Sequence, residues 1–213
     1  MPSTTALILA STSPYRRELL GRLRLPFIVE APGIDETPLP GETPPAAARR
    51  LARAKAEAVS ARHPTALVIG SDQTATLDGT LILGKPGGHE AARAQLRAAS
   101  GRSLVFHTAL AVVRSADSFG HEQVVETRVR FRRLAEEEIE AYLLDEQPYD
   151  CAGSAKNEGL GIALLERIES TDPTALTGLP LIALVDALRR VGVSPLAQAP
   201  SEREERPAVR GRS

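Results

Sequence analysis

The chain has 213 residues, 42% hydrophobic and 25% charged, with a formal net charge of −1; this composition suits a soluble globular protein with one substantial core or two lobes on one sheet. No global basic field exists to recruit a nucleic-acid polymer, and 3% aromatic residues with no Trp supply no stacking platform for single strands. The lone cysteine, Cys151, excludes a disulfide framework and a cysteine-built zinc site, and fits a reducing compartment.

Strand and helix patterns alternate along the chain, which predicts an α/β fold. Ala6 to Ala10 reads as a buried strand too short to span a bilayer, with no basic region before it. Neither a signal peptide nor a membrane span is expected, and the location expected is cytoplasmic. Ser13 is a good N-cap and Pro14 suits the first helical position, so a helix starts there, with Leu19, Leu20 and Leu23 at helical spacing. Phe27-Ile28-Val29 reads as a second strand, followed by a Pro/Gly-rich loop from Ala31 to Pro45 that holds Asp35 and Glu36. Thr43-Pro44 repeats the cap signature and opens an Ala/Arg-rich helix to about Arg62, with Leu51, Ala54, Ala58 and Val59 as its inner face. Ala66 to Gly70 is the clearest buried strand, and it runs into Ser71-Asp72-Gln73.

Asp78-Gly79 signals a hairpin between Ala75-Thr76-Leu77 and Leu81-Ile82-Leu83. Gly84-Lys85-Pro86-Gly87-Gly88 is a forced turn before a helix through Leu96. Leu104 to Val113 and Val124 to Phe131 read as an antiparallel pair across a Ser115–His121 turn. Ala135 to Leu144 is helical, with Ile139, Tyr142 and Leu143 inward. A polar loop, Gly153 to Gly159, precedes Ile162-Ala163-Leu164-Leu165, and Leu179 to Val191 is the last helix. Residues 1 to 197 are expected to form a single catalytic domain of two lobes. Residues 198 to 213, alternating charges with Pro and Gly, are expected to be a disordered tail.

The chemistry-bearing residues fall on the loops. Ser11, Ser13, Arg16 and Arg17 crowd a helix N-terminus whose dipole favours an anion, which makes that junction a phosphate seat or an ordinary capped surface helix. Asp72, just past a strand that reads as buried on both faces, is placed to take a proton from water or hold a divalent cation; alone it is more simply a turn cap, and the polar neighbours Ser71 and Gln73 shift the weight towards a site. Lys85, on a tight turn, offers a point charge for phosphate, though alone it is more simply a solvated turn lysine. Lys156 and Glu158 lie in a glycine-bounded loop that is either flexible enough to approach a ligand or simply exposed, with a weak ion pair. Lys55, on the second helix, is most simply part of a solvated face. The four histidines are scattered without metal spacing, and no Walker, Gly-x-Gly-x-x-Gly or Gly-x-Ser-x-Gly pattern occurs. Cys151 reads as a small buried residue rather than a nucleophile.

Four motifs in order, Leu-Ala-Ser-Thr-Ser-Pro-Tyr-Arg-Arg, Val-Ile-Gly-Ser-Asp-Gln, Leu-Gly-Lys-Pro-Gly and Cys-Ala-Gly-Ser-Ala-Lys-Asn-Glu-Gly-Leu-Gly-Ile, resemble the Maf family of nucleotide pyrophosphatases, also described as septum formation inhibitors. The resemblance runs from Leu7 to about Leu196. It implies a two-lobed fold like that of inosine triphosphate pyrophosphatases, with an elongated mixed sheet flanked by helices and a central cleft. It also implies cleavage of a nucleoside triphosphate between the α- and β-phosphates with a divalent cation, Mg²⁺ or Mn²⁺, in the housecleaning of modified nucleotides. By motif, Asp72 matches the proton acceptor, Ser13, Arg16, Lys55, Lys85 and Lys156 match positions facing the phosphates, and Glu36, in the Asp-Glu-Thr segment, is implied as a metal ligand beside Asp72 or as part of a water network.

Tyr15, Gln73 and Glu158 stand where the subfamilies divide, and this set resembles the branch that hydrolyses 7-methyl-GTP. Guanine offers N–H donors at N1 and N2 to a carboxylate such as Glu158. Methylation at N7 makes the base cationic, which suits an aromatic face and a negative neighbour. The branch usually has Trp where Tyr15 stands and an aromatic where Ala155 stands. A dTTP/UTP or broader noncanonical nucleotide pyrophosphatase is the rival enzyme, and a non-hydrolysing nucleotide-binding regulator of septum formation is the rival of another class. The substrate is the expected partner; nucleic-acid polymers and membranes are not, and a homodimer is left open.

Overall fold

Residues 6–197 are described by a computed structural model, in which six strands make one mixed sheet. The strands are β1 (Leu7–Ala10), β2 (Ile28–Glu30), β3 (Leu67–Thr76), β4 (Ser103–Arg114), β5 (Phe119–Phe131) and β6 (Leu165–Ser170), in the spatial order β2-β1-β3-β4-β5-β6. β1 pairs in parallel with β2 and β3, and every pairing from β3 to β6 is antiparallel. Five helices flank the sheet: α1 (Pro14–Gly21), α2 (Pro44–Ser60), α3 (His89–Ala99), α4 (Glu136–Glu146) and α5 (Leu181–Arg190).

Side-chain alternation along the strands sorts the core into two faces. Leu7 and Leu9 of β1, Leu67 and Ile69 of β3, and Leu110 and Val112 of β4 pack with Leu19 and Leu20 of α1 and Leu184 and Leu188 of α5. Their neighbours Ile8, Ala10, Val68, Ala109 and Ala111 turn to the other face, against Ala48, Ala52, Ala56 and Val59 of α2. Burial on both faces is why these segments read as unbroken apolar runs. A third cluster, with Leu96, Leu104, Phe131, Ile139 and Leu143, fills the second lobe between β4, β5, α3 and α4.

Small residues on α2 let it lie on the sheet at backbone contact. A Cβ on Gly70 would fall 2.1 Å from the carbonyl oxygen of Ala52 and 2.8 Å from the nitrogen of Ala56. Only glycine fits there.

Several expectations are corrected. β3 does not stop at Gly70 but continues to Thr76, because β4 pairs with it from Val68 to Thr76; Asp72 is therefore within a strand, not beyond one. The Asp78-Gly79 turn forms, with Asp78 Oδ1 accepting from the Thr80 and Leu81 amides and Gly79 at φ +84°, yet the expected hairpin shrinks to one bridge, Ala75 to Leu83. β5 starts at Phe119, so the connection from β4 is much shorter than Ser115–His121. Ile162 to Leu165 lead through a short 3-10 turn into β6, an edge strand the sequence pattern does not announce. Thr43 sits at the cap of α2 without a side-chain capping bond. The expected tail, 198–213, lies outside the described residues.

Candidate active site

β1 ends opposite Ile69 while β3 runs on, so past that point one edge of β3 is left without a partner strand as far as the single bridge at Ala75. The chain leaving β1 turns into α1, and a cleft of about 670 Å³ opens along this bare edge. That volume is within the usual range for small-molecule sites. The rule that ligands gather at carboxyl ends of parallel strands thus holds through β1, not through β3 as the sequence suggested. Alternation gives the two sides of the cleft different residues. Asp72 faces the α2 side, while Ser71 and Gln73 face the side of α1 and α5.

Lys55 is the largest departure from expectation. Far from lying on a solvated face, it is 4% exposed and projects from the inner stripe of α2, four residues from Leu51 and from Val59. Its Nζ donates to Asp72 Oδ1 at 2.7 Å and to Glu36 Oε2 at 2.6 Å. Asp72 is 6% exposed, whereas the Glu36 side chain, on the Ala31–Pro45 loop, is 55% exposed. Burial pushes the Asp72 carboxyl above the ordinary aspartate range, against the opposing pull of Lys55 and Arg16. The same burial lowers the Arg16 guanidinium, and Asp72 and Glu36 counter it.

At the α1 end, Ser13 Oγ accepts the Arg16 amide at 3.4 Å and Ser11 Oγ accepts the Ser13 amide at 3.1 Å. These caps use oxygen lone pairs and leave both hydroxyl hydrogens available as donors. Ser11, Ser13, Tyr15 and Arg16 line the cleft, and Arg16 Nε donates to the Gly178 carbonyl at 2.9 Å. Arg17 does not join them: it points into a shallower pocket on the other side of α1, with Glu18, Phe27 and Val29.

Lys85 lies exposed on the opposite lip, in the turn before α3. Glu158, Asn157, Cys151 and Asp150 line the same side. Desolvation raises the Glu158 carboxyl, with Lys156 acting the other way. Lys156 itself is not in the cleft wall; its Nζ stands 3.6 Å from Asp150 Oδ1 and donates to the Glu146 carbonyl at 3.4 Å. Nor are the glycines of this loop there for flexibility. A Cβ on Gly153 would come within 2.5 Å of Leu104 Cδ2, and one on Gly161 within 2.5 Å of the Lys156 carbonyl. Tyr142 Oη and Glu146 Oε2 fix the loop further by accepting the Lys156 and Leu160 amides. Burial pushes the Cys151 thiol up to about 12, which agrees with a packing residue rather than a nucleophile.

The site wall that sequence reasoning missed is the segment before α5, where Leu176, Thr177 and Gly178 line the cleft. Its one local signal is the Asp-Pro-Thr-Ala-Leu-Thr-Gly run ahead of an apolar helix. Gly178 adopts φ +113°, a conformation that favours glycine. Gln73 Nε2 donates to the carbonyls of Ala175 and Leu176, both at 3.0 Å, and to Thr108 Oγ1 at 2.8 Å.

No group of three or more His, Cys, Asp or Glu side chains among the described residues is gathered to hold a metal ion. Asp72 and Glu36 are nevertheless drawn to one point by the shared Lys55 ammonium, and two hard carboxylate oxygens suit a cation that takes its remaining ligands from phosphate and water.

A half-paired mixed sheet, a helix N-terminus and a cluster of acids and cations around one cleft make an α/β protein whose site suits a phosphorylated ligand. The Maf-like protein family model matches residues 6–191, and the chain belongs to that family. It is 60% identical over 193 residues to the 7-methyl-GTP pyrophosphatase of Polaromonas sp., covering 91% of this chain and 88% of that one. It is 62% identical over 185 residues to the protein of the same name from Ralstonia nicotianae, covering 87% and 95%. Its identity to the one from Burkholderia thailandensis is 60% over 202 residues, 93% of each. Among solved structures, a HAM1 protein from Coxiella burnetii aligns with a TM-score of 0.44 at 19% identity, over 62% of this chain and 75% of that one. Among the described residues no helix is long and apolar enough to cross a membrane.

Proposed function

We propose that the protein hydrolyses nucleoside triphosphates at the α–β phosphoanhydride, with 7-methyl-GTP as its preferred substrate and 7-methyl-GMP and diphosphate as products. The observation that carries this reading is the buried Lys55 bridging Asp72 and Glu36 on one side of a cleft whose other side is the N-terminus of α1. The relatives' names point to the same base.

Asp72 acts as the proton acceptor. Lys55 occupies its Oδ1, leaving Oδ2 for a water that attacks the α-phosphorus in line with the departing diphosphate. The raised carboxyl is better matched to accept a proton than an ordinary aspartate. Arg16, Lys85 and the hydroxyls of Ser11 and Ser13 stabilise charge on the polyphosphate, with the dipole of α1 behind them. Asp72 and Glu36 would hold a divalent cation together with phosphate oxygens, and that ion would supply charge neutralisation at the reacting phosphates. Glu158 accepts from guanine N1 and N2, and Tyr15 offers a face to the cationic ring.

The test is diphosphate release across 7-methyl-GTP, GTP, dTTP and UTP with Mg²⁺ or Mn²⁺ present. The 7-methyl-GTP rate should exceed the others. Preferential turnover of dTTP or UTP would assign the protein to the other branch, and nucleotide binding without release would make it a binding protein.

A further inference from the structure

Thr108, in the middle of β4, is fully buried and takes no part in the cleft wall, yet it belongs to a cluster of donors with one target. Its Oγ1 donates to the Ala175 carbonyl at 2.9 Å and accepts from Gln73 Nε2. Ser71 Oγ shares its hydrogen between the Ala109 carbonyl at 2.7 Å and the Gly178 carbonyl at 2.9 Å. Arg16 Nε reaches the Gly178 carbonyl from α1. Thus four side chains from α1, β3 and β4 converge on the carbonyls of Ala175, Leu176 and Gly178.

The segment is held equally firmly from behind. Asp172, 2% exposed, accepts the Thr174 and Ile182 amides at 3.0 and 2.7 Å, tying the loop to the first turn of α5. Thr174 Oγ1 in turn accepts the Leu181 amide at 2.8 Å.

We propose that the 172–178 segment is the specificity-positioning wall of the cleft, and that Thr108 is a positioning residue which sets it both directly, at the Ala175 carbonyl, and through Gln73. The inference rests on the proposed pyrophosphatase reading and adds how base preference is built. Gln73 Nε2 has two hydrogens and three acceptors, so its nitrogen is wholly committed to the protein. Turning the amide over would aim its oxygen at two carbonyls. Gln73 therefore has no free N–H to give a base; it acts by fixing Leu176, Thr177 and Gly178, which line the cleft beside it. Because Arg16 holds the same segment, base and phosphate contacts share one support.

The experiment is a double-mutant cycle of Thr108→Val and Gln73→Leu, reading kcat and KM for 7-methyl-GTP and UTP, with Thr108→Ser as the control that keeps the hydroxyl. Thr108→Val should lower kcat/KM for 7-methyl-GTP roughly five- to tenfold, as for loss of one buried hydrogen bond, mostly through KM. UTP should be affected less, Thr108→Ser should restore the preference, and the double variant should be little worse than the poorer single one. Amide exchange over 174–178 should quicken in Thr108→Val. Unchanged preference in folded Thr108→Val, or full additivity with Gln73→Leu, would overturn the proposal. If the wild type instead prefers UTP, the functional reading fails while the cycle is read on UTP. If it hydrolyses nothing, the cycle is read on nucleotide affinity by calorimetry, where non-additive losses support the proposal and additive ones overturn it.

Discussion

A buried aspartate paired to a lysine makes its protonation a kinetic observable. As the proposed proton acceptor Asp72 must be ionised, and burial raises its carboxyl, so kcat/KM should fall as pH drops through a midpoint above the ordinary aspartate value. Asp72→Asn should abolish that acid limb and cost on the order of 10²–10⁴-fold in kcat, measured by diphosphate release. Lys55→Met removes the group that pulls the carboxyl down. The midpoint should then move to higher pH, and stability should fall by about 3–5 kcal/mol in urea unfolding, as when one partner of a buried pair is lost. The base-reading role proposed for Glu158 is tested by separating binding from chemistry. Glu158→Gln should raise KM for 7-methyl-GTP well above any change for UTP, and equal losses on both would assign Glu158 to folding instead of base recognition.

Among the elements, α2 has the strictest requirement, since its contact with β3 decides whether Lys55 reaches Asp72. Gly70→Ala would drive a methyl group into the Ala52 carbonyl, so helix or strand must shift. The variant should lose about 1–3 kcal/mol in chemical denaturation, the usual cost of overpacking, and should lose activity beyond what its melting temperature explains. Elements also mark what could be read in advance. The α1 junction was legible because a cap and a proline act on their nearest neighbours. Lys55 was misread although its spacing from Leu51 and Val59 places it on the apolar stripe; a lysine on such a face is ordinarily dismissed as solvated, and its two acidic partners lie 19 and 17 residues away. The length of β3 was hidden for another reason. Ser71, Asp72 and Gln73 look like a loop until β4, thirty-odd residues on, supplies hydrogen bonds for them.

At the scale of the molecule, the alternating pattern announced an α/β fold, while the antiparallel half of the sheet emerged only from pairing between distant segments. The wall at 172–178 was illegible because its carbonyls answer donors more than sixty residues away. The two lobes have separate apolar clusters but share β4 and β5. Leu9→Ala in one and Leu96→Ala in the other should therefore each lower the same single calorimetric transition, by about 2–5 kcal/mol. Two resolved transitions would mean that the lobes melt independently.

Those shared strands also limit how a nucleotide gets in. β4 and β5 hydrogen-bond to each other over twelve consecutive pairs, Ser103–Arg130 through Arg114–Phe119, passing from one lobe to the other without a break. A sharp hinge at one point of such a ribbon would cost ladder hydrogen bonds. The rest of the cleft rim, the Ala31–Pro45 stretch that carries Glu36 and the Lys85 turn, stands outside that ribbon, so substitutions there should alter kcat and KM without touching the ladder that joins the lobes.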